Sequence, residues 1–371
     1  MPNFAVKLIA FMSNTTNKRL LSLDMLRGMT VAGMILVNNG YGESFEMLQH
    51  AKWNGMTPCD LVFPFFLFIM GISCYLSLSK SKFTATRPVI FKIVKRTVLL
   101  FAIGLFINWF DNAIEGDLMC FGHLRLWAVM QRIALCYFFV SMFALFANHR
   151  YTIPTIIGLL VVYTIILLAG NGYAEDASAN ILAQVDLNLF GYDHLYHKSP
   201  VDPEGLVGTI SGVAHVLIGF WCGKQIKERQ TTEQKALAVF VIGTVCLVLG
   251  YLLTYGLPLN KRIWSPSYVL VTCGLAALLQ ALFMYIIDIC QKKKWTTFFR
   301  VFGVNALALY VGSELLAILF GHFGISPAIY DTLHAVIGPL KWASLAYALV
   351  FVAINFLIGY VLWKRKIFIK L

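Results

Sequence analysis

Charged residues are scarce in this chain, and their scarcity excludes an ordinary soluble domain. They make up 13% of the 371 residues, whereas hydrophobic residues make up 59%. A typical soluble domain carries about 25% charged residues. Together with a mean hydropathy of +0.73, this composition predicts a polytopic integral membrane protein that is embedded in a lipid bilayer.

The sequence also lacks the signs of additional domains or of a metal centre. No linker, low-complexity tract or fixed-period repeat interrupts it, and the longest polar stretch, about 171–205, is too short for an independent core. Eight cysteines include no Cys-x-x-Cys pair, so we expect no metal or redox site. Only Cys59 and Cys120 fall where a disulfide could persist. We expect one transmembrane domain over residues 1–371.

Ten apolar segments are long enough to cross a bilayer, which takes about 20 residues. They are 20–41, 60–79, 89–110, 124–147, 151–170, 206–223, 236–257, 267–289, 298–321 and 342–363. The fold class predicted is therefore all-α, a bundle of about 10 transmembrane helices. Before them, residues 1–13 contain an apolar run without a small-residue cleavage site, which favours an interfacial tail over a signal peptide.

The net charge of +12 reflects membrane topology rather than a nucleic-acid partner. With the N-terminus placed inside, most of the 30 basic residues fall on the inner side, and most acidic residues fall on the outer side. The positive-inside rule then predicts that both termini are cytoplasmic. We expect no nucleic acid to bind.

The polar segment between the first two predicted spans carries the strongest candidate chemistry. His50 lies at the outer boundary, Asn38 ends the helix before it, and Asp60 opens the next one, where it could cap the helix or orient an imidazole. Trp53 and Asn54 add donors. This set suits acyl transfer, in which an imidazole takes a proton from an amine and fixed donors stabilise an oxyanion. A purely structural histidine is the alternative.

Other polar residues lie inside the predicted spans, where lipid contact is costly, so we expect them to face the bundle interior. They are Asn108, Gln131, Arg132, His215, Gln280, Asn305, Glu314 and Asn355. For Asn108, His215, Gln280 and Asn355 the simpler interpretation is hydrogen bonding between helices.

Several basic residues could bind an anionic donor. Arg27 lies three residues after Asp24, so the two could form a structural pair, or Arg27 could meet a phosphate. Arg125, Gln131 and Arg132 are predicted to share one face of the fourth helix. There they could neutralise phosphates, or they could pair with acidic residues, for which the candidates are Asp111, Asp117 and Glu314.

Two outer loops have the composition of a ligand site. Residues 191–205 mix turn formers, aromatics and acids, including Glu204, although an ordinary polar loop explains them equally well. Residues 258–267 combine adjacent bases with an aromatic, which suits a sugar or polyanion, or alternatively an interfacial tryptophan anchor. The candidates in this second loop are Asn260, Lys261, Trp264 and Ser265.

Motifs in order along nearly the whole chain carry a family resemblance. They are Ser22-Leu23-Asp24 with Leu26-Arg27-Gly28, Val37-Asn38, His50-Ala51 with Trp53-Asn54-Gly55, Asp60-Leu61-Val62-Phe63-Pro64-Phe65-Phe66, Gln131-Arg132, Asp202-Pro203-Glu204-Gly205, Asn260-Lys261 with Trp264-Ser265, and Asn305 with Tyr310-Val311-Gly312. The set resembles heparan-α-glucosaminide N-acetyltransferase, the lysosomal membrane enzyme, and its bacterial relatives in the transmembrane acyltransferase group.

The resemblance implies transfer of acetyl from cytosolic acetyl-CoA, without a metal, to the amine of a glucosamine across the membrane. The family's active histidine falls on His50, and an asparagine near its acyl site falls on Asn38. We expect His50 to act as general base or transient acetyl carrier, with Asp60 steadying it. Expected cofactor contacts are Arg27, Arg125, Gln131 and Arg132. Expected acceptor contacts are Trp53, Asn54, Glu204, Asn260, Lys261, Trp264, Ser265, Asn305 and Glu314.

Two departures from the lysosomal pattern leave the acceptor open. This sequence lacks the long N-terminal luminal region, and its Asn38-to-His50 segment is one residue longer. Compact loops suggest a bacterial inner membrane, with 37–59 facing the periplasm. An amino-sugar transporter without acyl transfer is the alternative from another class, and O-acylation differs only in the nucleophile. The chain could also form a homodimer.

Overall fold

A computed structural model describes residues 20–369, and over that range the chain is helical without strands. Its α-helices, numbered in chain order, are α1 Leu21–Asn38, α2 Val62–Leu78, α3 Arg87–Ile114, α4 Val129–Phe146, α5 Thr152–Ala169, α6 Ile181–Phe190, α7 Thr209–Glu228, α8 Thr232–Leu253, α9 Pro266–Phe283, α10 Thr297–Val304, α11 Ala306–His322, α12 Ile325–Ile337 and α13 Leu340–Lys364. A π-helix, Met284–Ile289, continues α9. The tail predicted at 1–13 lies outside the described residues.

A helix, or a pair of helices, occupies each of the ten predicted spans. Within residues 20–369, seven helices are long and apolar enough to cross a membrane, and the pair α10 and α11, bent by 71°, makes an eighth. The other two, α3 and α7, are less apolar. Basic residues open α3, and α7 is largely buried by other helices, so the count of ten spans stays a prediction. The chain is a multi-pass membrane protein.

The centre of the bundle is α7, which packs against α2, α4 and α5. Its crossing with α2 is close because glycines face each other there. A Cβ on Gly219 would lie 2.1 Å from the Phe68 carbonyl oxygen, and one on Gly71 would lie 2.1 Å from that of Val216. Small residues of this kind let membrane helices approach closely. The crossing holds α2, and the turn that precedes it, firmly in the bundle.

A second close crossing fixes α1 against α10. A Cβ on Gly28 would lie 1.7 Å from the Phe299 carbonyl oxygen, and one on Gly303 would lie 2.0 Å from that of Asp24. Immediately after α10 the helix breaks at Asn305. The bend redirects α11, so that its far part meets the end of α1 at Asn38.

The burial predicted for the polar residues of the spans is confirmed. Asn108 and Glu314 are half-buried, and the fully buried ones are Gln131, Arg132, His215, Gln280, Asn305 and Asn355. Several bond to neighbouring elements as expected: His215 to the Pro64 carbonyl at 2.8 Å and Gln280 to the Ser22 hydroxyl at 3.1 Å. The thiols of Cys59 and Cys120 are both free and buried, so no disulfide joins them.

Candidate active site

The chain between α1 and α2 folds around one buried carboxylate. Asp60 lies in the short turn Pro58–Leu61 and is 0% exposed. Its Oδ2 accepts hydrogen bonds from the backbone N–H groups of Ala51 and Thr57 and from the Thr57 hydroxyl, each at 3.1 Å. The reciprocal hydrogen bonds between Asp60 and Thr57 form a capping box in the turn that leads into α2. An ionised carboxylate only accepts hydrogen bonds, so this set of donors matches the anion.

The second carboxylate oxygen orients His50. Asp60 Oδ1 lies 2.7 Å from His50 Nδ1. In a neutral imidazole this contact places the proton on Nδ1 and leaves the lone pair on Nε2. The imidazole is 46% exposed, so Nε2 is within reach of a ligand. The structure thus brings together the base and the orienting group that the sequence spacing proposed.

Lys261 joins this pair from the loop between α8 and α9. Its Nζ lies 3.3 Å from Asp60 Oδ1, and 3.0 Å and 3.3 Å from His50 Nδ1 and Nε2. The lysine therefore contacts the candidate base, whereas the sequence indicated a sugar ligand. Because Nζ also reaches Nε2, the lysine must turn away from that nitrogen before the imidazole takes a proton there.

Polar residues on either side of Lys261 fasten its loop to the loop of His50. Asn260 donates from Nδ2 to Asn54 Oδ1 at 3.2 Å, and the Gly55 N–H donates to the Leu259 carbonyl at 2.7 Å. Ser265 Oγ accepts from the Asn260 N–H at 3.0 Å. These contacts pair polar atoms of the two loops with each other. Asn54, Asn260 and Ser265, expected to bind the acceptor, hold Lys261 in place and do not line the cavity described below.

Two tryptophans complete the same scaffold. Trp53 donates its indole N–H to the Tyr173 carbonyl at 3.0 Å and packs among apolar side chains of the outer loops. Trp264 is 1% exposed, has a left-handed φ of 53°, and lies edge-on to Phe63 and Tyr268. Both are core residues of the outer end, so the expectation that they contact the acceptor is not met.

A cavity of about 320 Å³ opens beside His50, within the size range of small-ligand sites. Six predicted residues line it: Asn38, His50, Arg125, Glu204, Lys261 and Glu314. Lining residues with polar side chains that were not among the predicted ligands are Asn108, Tyr196, Arg262 and Tyr310. Tyr310 precedes Glu314 by four residues, and that helical spacing is the signal that could have identified it.

Asn38 and Glu314 form a pair on the wall of the cavity. Asn38 donates from Nδ2 to Glu314 Oε1 at 3.2 Å. The contact uses one of the two amide hydrogens and leaves the other for a ligand. Since Glu314 comes from α11, the bend at Asn305 is what brings this carboxylate to the end of α1.

Arg125 lines the cavity but is already paired. Its Nη2 lies 3.1 Å from Asp202 Oδ1 and 3.0 Å from Glu204 Oε2, and its guanidinium covers the Tyr196 ring at 4.5 Å. Burial lowers the pKa of Arg125, but Glu204 and Asp202 outweigh that effect and raise it. Two carboxylates compensate its charge, so it organises the acidic loop rather than offering a free phosphate site.

The expectation that Arg125 shares a helix face with Gln131 and Arg132 is wrong. The N–H of Leu126 donates to the His194 carbonyl at 3.0 Å, which draws this segment into the outer loops. As a result α4 begins only at Val129. A contact with a residue so distant in sequence is invisible to helical periodicity.

The other predicted cofactor ligands, Gln131, Arg132 and Arg27, do not line the cavity. Arg132 donates to the carbonyls of Pro203, Gly205 and Gly208 at 2.9–3.1 Å and so ties their loop to α4. Gln131 is buried against Gly104. Arg27 bonds to Asp24 at 3.2 Å and to Ser73 at 2.9 Å. It lies near the start of α1, whereas Asn38 is the last residue of that helix.

Asn305 does not reach the cavity either. Its Nδ2 donates to the Ile367 carbonyl at 2.9 Å, and its Oδ1 accepts from the Ile369 N–H at 3.0 Å. Both side-chain groups are therefore used at the bend, which corrects the expectation that this residue binds the acceptor.

These features define a class: a helical multi-pass membrane protein with an aspartate-oriented histidine and an amide donor at one cavity, a set that suits acyl transfer. The chain belongs to the family described as "Heparan-alpha-glucosaminide N-acetyltransferase, catalytic", whose family model matches residues 19–257. The resemblance seen in the motifs is thus confirmed. Asn38, His50 and Asp60 lie inside the matched range, whereas Lys261 and Glu314 lie beyond it.

Two relatives extend the similarity. The heparan-alpha-glucosaminide N-acetyltransferase of Homo sapiens is 28% identical to this chain. The alignment is 430 residues long and covers 95% of this chain and 60% of that protein. The protein of the same name from Mus musculus is 27% identical over 423 residues, with the same coverage. The chain therefore spans about 60% of the length of these curated relatives.

One buried acid, which contacts the loop at Gly205 and Leu206, contributes a pH dependence to stability. Asp186 of α6 accepts from the Leu206 N–H at 3.0 Å through Oδ1, while its buried Oδ2 has no hydrogen-bond partner among the described residues. Burial raises the pKa of Asp186 to about 6. With this shift, Asp186 keeps a proton in the folded chain that the unfolded chain releases near pH 4, so its contribution to the free energy of unfolding falls as pH rises from about 4 to above 6.

We predict that Asp186→Asn stabilises the protein at pH 7.5 by on the order of 1–2 kcal/mol, because the amide keeps the Leu206 contact without a buried charge. The variant should also lose part of the decline in stability between pH 4 and pH 6. Thermal unfolding in detergent across this range measures both effects. Asp193→Asn, at an exposed position, is the control. A variant less stable than wild type at pH 7.5 would contradict the assignment.

Proposed function

We propose that this chain is a transmembrane N-acetyltransferase that moves acetyl from acetyl-CoA to the amine of a glucosamine-type sugar. The observation that carries the proposal is the His50–Asp60 pair beside a cavity that Asn38 also lines. Family membership supports the reaction type, since the relatives are named heparan-alpha-glucosaminide N-acetyltransferases. We treat residues 1–371 as one catalytic domain.

In the proposed reaction His50 is the general base. Asp60 holds Nδ1–H, so Nε2 takes a proton from the attacking amine, and the carboxylate stabilises the imidazolium that forms. Asn38 offers its second amide hydrogen to the thioester oxygen as negative charge develops there. His50 then passes its proton to the sulfur of coenzyme A. Transient acetylation of His50 is the competing route.

The proposed arrangement in the membrane has ten spans, both termini in the cytoplasm, and the cavity on the periplasmic side of a bacterial inner membrane. Contacts between loops support one common end for the site. Trp53 meets Tyr173, and Lys341 lies 3.3 Å from Glu43, all in segments predicted to be outside. The donor would enter from the opposite, basic end, with its nucleotide near Arg27 and its pantetheine between helices toward His50.

An amino-sugar transporter is the alternative function. The family match favours acyl transfer over it, and the orientation of His50 by Asp60 serves proton transfer, which carriage of a sugar does not require.

We expect His50→Ala to reduce acetyl transfer from labelled acetyl-CoA to glucosamine at least about 100-fold, because the variant loses the positioned base. The assay uses detergent-purified full chain. His123→Ala is the matched control, since this exposed histidine pairs with Asp117 at 3.0 Å and does not line the cavity. Undiminished transfer by His50→Ala removes this residue from the mechanism.

The native cysteines provide a test of the proposed orientation. Seven of them are buried, and Cys290, next to the basic run Lys292-Lys293-Lys294, is exposed. With cytoplasmic termini, a membrane-impermeant maleimide should label Cys290 only after bacterial cells are permeabilised. A Cys290→Ser protein carrying Ala177→Cys, in the exposed loop between α5 and α6, should be labelled in intact spheroplasts. The reverse pattern contradicts the orientation.

A further inference from the structure

Proton counting shows that acylation of an amino sugar that binds as its ammonium needs more than one proton acceptor. A protonated amino sugar carries three hydrogens on nitrogen, and the amide product keeps one. Two protons must therefore leave, one of which ends on the sulfur of coenzyme A. His50 offers one ring nitrogen, Nε2, once Lys261 has turned away from it, because Asp60 occupies Nδ1. It can carry the second proton from nitrogen to sulfur, but the first must go to another group.

The charges that line the cavity point to one group for that first proton. Its two lining carboxylates are Glu204 and Glu314. Glu204 is paired with Arg125 at 3.0 Å. Among the ion pairs of the described residues, none includes Glu314, whose hydrogen-bond partners are neutral: the amide of Asn38 at 3.2 Å and the hydroxyl of Tyr310. A half-buried carboxylate without a cation is costly, and a cationic ligand relieves that cost.

The position of Glu314 suits an acceptor amine. Its partner Asn38 lines the same cavity as His50 and lies where the proposed reaction holds the thioester oxygen. An ammonium on Glu314 would therefore share the Asn38 contact with the acyl group and lie in the same cavity as the base. Tyr310, one helical turn before Glu314, adds a hydroxyl to the same wall.

Resting on the proposed acetyl transfer, we propose that Glu314 is a second catalytic residue, which binds the ammonium of the acceptor and takes its first proton. An N–H bond breaks and an O–H bond forms on the Glu314 carboxylate. The neutral amine then attacks the thioester carbon, and the C–N bond forms. His50 takes the second proton and delivers it to sulfur as the C–S bond breaks. Glu314 finally releases its proton to water at the mouth of the cavity.

This role selects a class of acceptor. A sugar with a free amine is positively charged and pairs with Glu314, whereas a neutral hydroxyl sugar or an N-acetylated sugar does not. The same contact is lost once the amide forms, so the product is released more easily than the substrate. N-acylation is thereby favoured over O-acylation.

Binding without acetyl-CoA tests the ammonium site independently of any catalysis. We expect the detergent-solubilised full chain to bind glucosamine at least about tenfold more tightly than N-acetylglucosamine, since the charged contact is strong. Glu314→Gln, which keeps the size and a hydrogen bond to Asn38, should reduce this preference to within about twofold. Glu43→Gln, an exposed acid at the same end, should leave it unchanged. Retention of the full preference by Glu314→Gln overturns the proposal.

Glu314→Asp distinguishes loss of the negative charge from a structural effect of the substitution. It keeps the charge one methylene back, so it should retain a preference for glucosamine even if its thermal stability falls. Equal binding of both sugars by Glu314→Asp contradicts an ammonium site. Because these measurements need no acetyl transfer, they remain decisive if the proposed reaction itself fails.

The proton-accepting role is tested by comparing two nucleophiles in the transfer assay. At pH 7 most glucosamine is protonated, whereas most hydroxylamine is unprotonated and does not need the first base. In Glu314→Gln, kcat/KM for glucosamine should fall at least about tenfold more than kcat/KM for hydroxylamine. An equal loss with both nucleophiles shows a structural role and overturns the inference.

Discussion

The site depends on the buried carboxylate of Asp60. It accepts hydrogen bonds from the backbone of the His50 loop, caps the start of α2 with Thr57, orients His50 and pairs with Lys261. The backbone carbonyl of Asp60 accepts a hydrogen bond from the Tyr268 hydroxyl of α9 at 2.6 Å. One residue thus joins two helices and two loops, and an anion so enclosed would be strongly destabilising if any of these donors were removed.

A similar arrangement recurs around the cavity, where acidic groups position the groups that face it. Asp60 orients His50, while Asp202 and Glu204 hold Arg125. Glu314 contacts Asn38 in the same cavity and has no cationic partner among the ion pairs of the described residues, so it is the carboxylate proposed to receive a cationic ligand. The difference between paired and unpaired carboxylates is what separates the structural from the proposed catalytic roles. Membrane burial sharpens this difference because desolvation makes each unpaired charge more costly.

The sequence predicted the helices and the His50–Asp60 pair because both depend on residues that are close together in the chain. The helices follow from local hydropathy, and His50 and Asp60 are ten residues apart. Roles that depend on distant contacts were not predictable in this way. Trp53 and Asn260 look like ligands in a polar loop, yet their partners Tyr173 and Asn54 make them scaffold. Arg125 lies before the start of α4, because a hydrogen bond between the Leu126 N–H and the His194 carbonyl holds its segment in the outer loops.

Acetyl transfer across a sealed membrane tests the central claim most directly. The purified chain is reconstituted into vesicles that contain glucosamine, and labelled acetyl-CoA is added outside only. The account predicts that labelled N-acetylglucosamine accumulates inside the vesicles while coenzyme A stays outside, and that His50→Ala abolishes this product. Release of unmodified glucosamine without luminal product, or acetylation only when donor and acceptor share one compartment, would contradict the account.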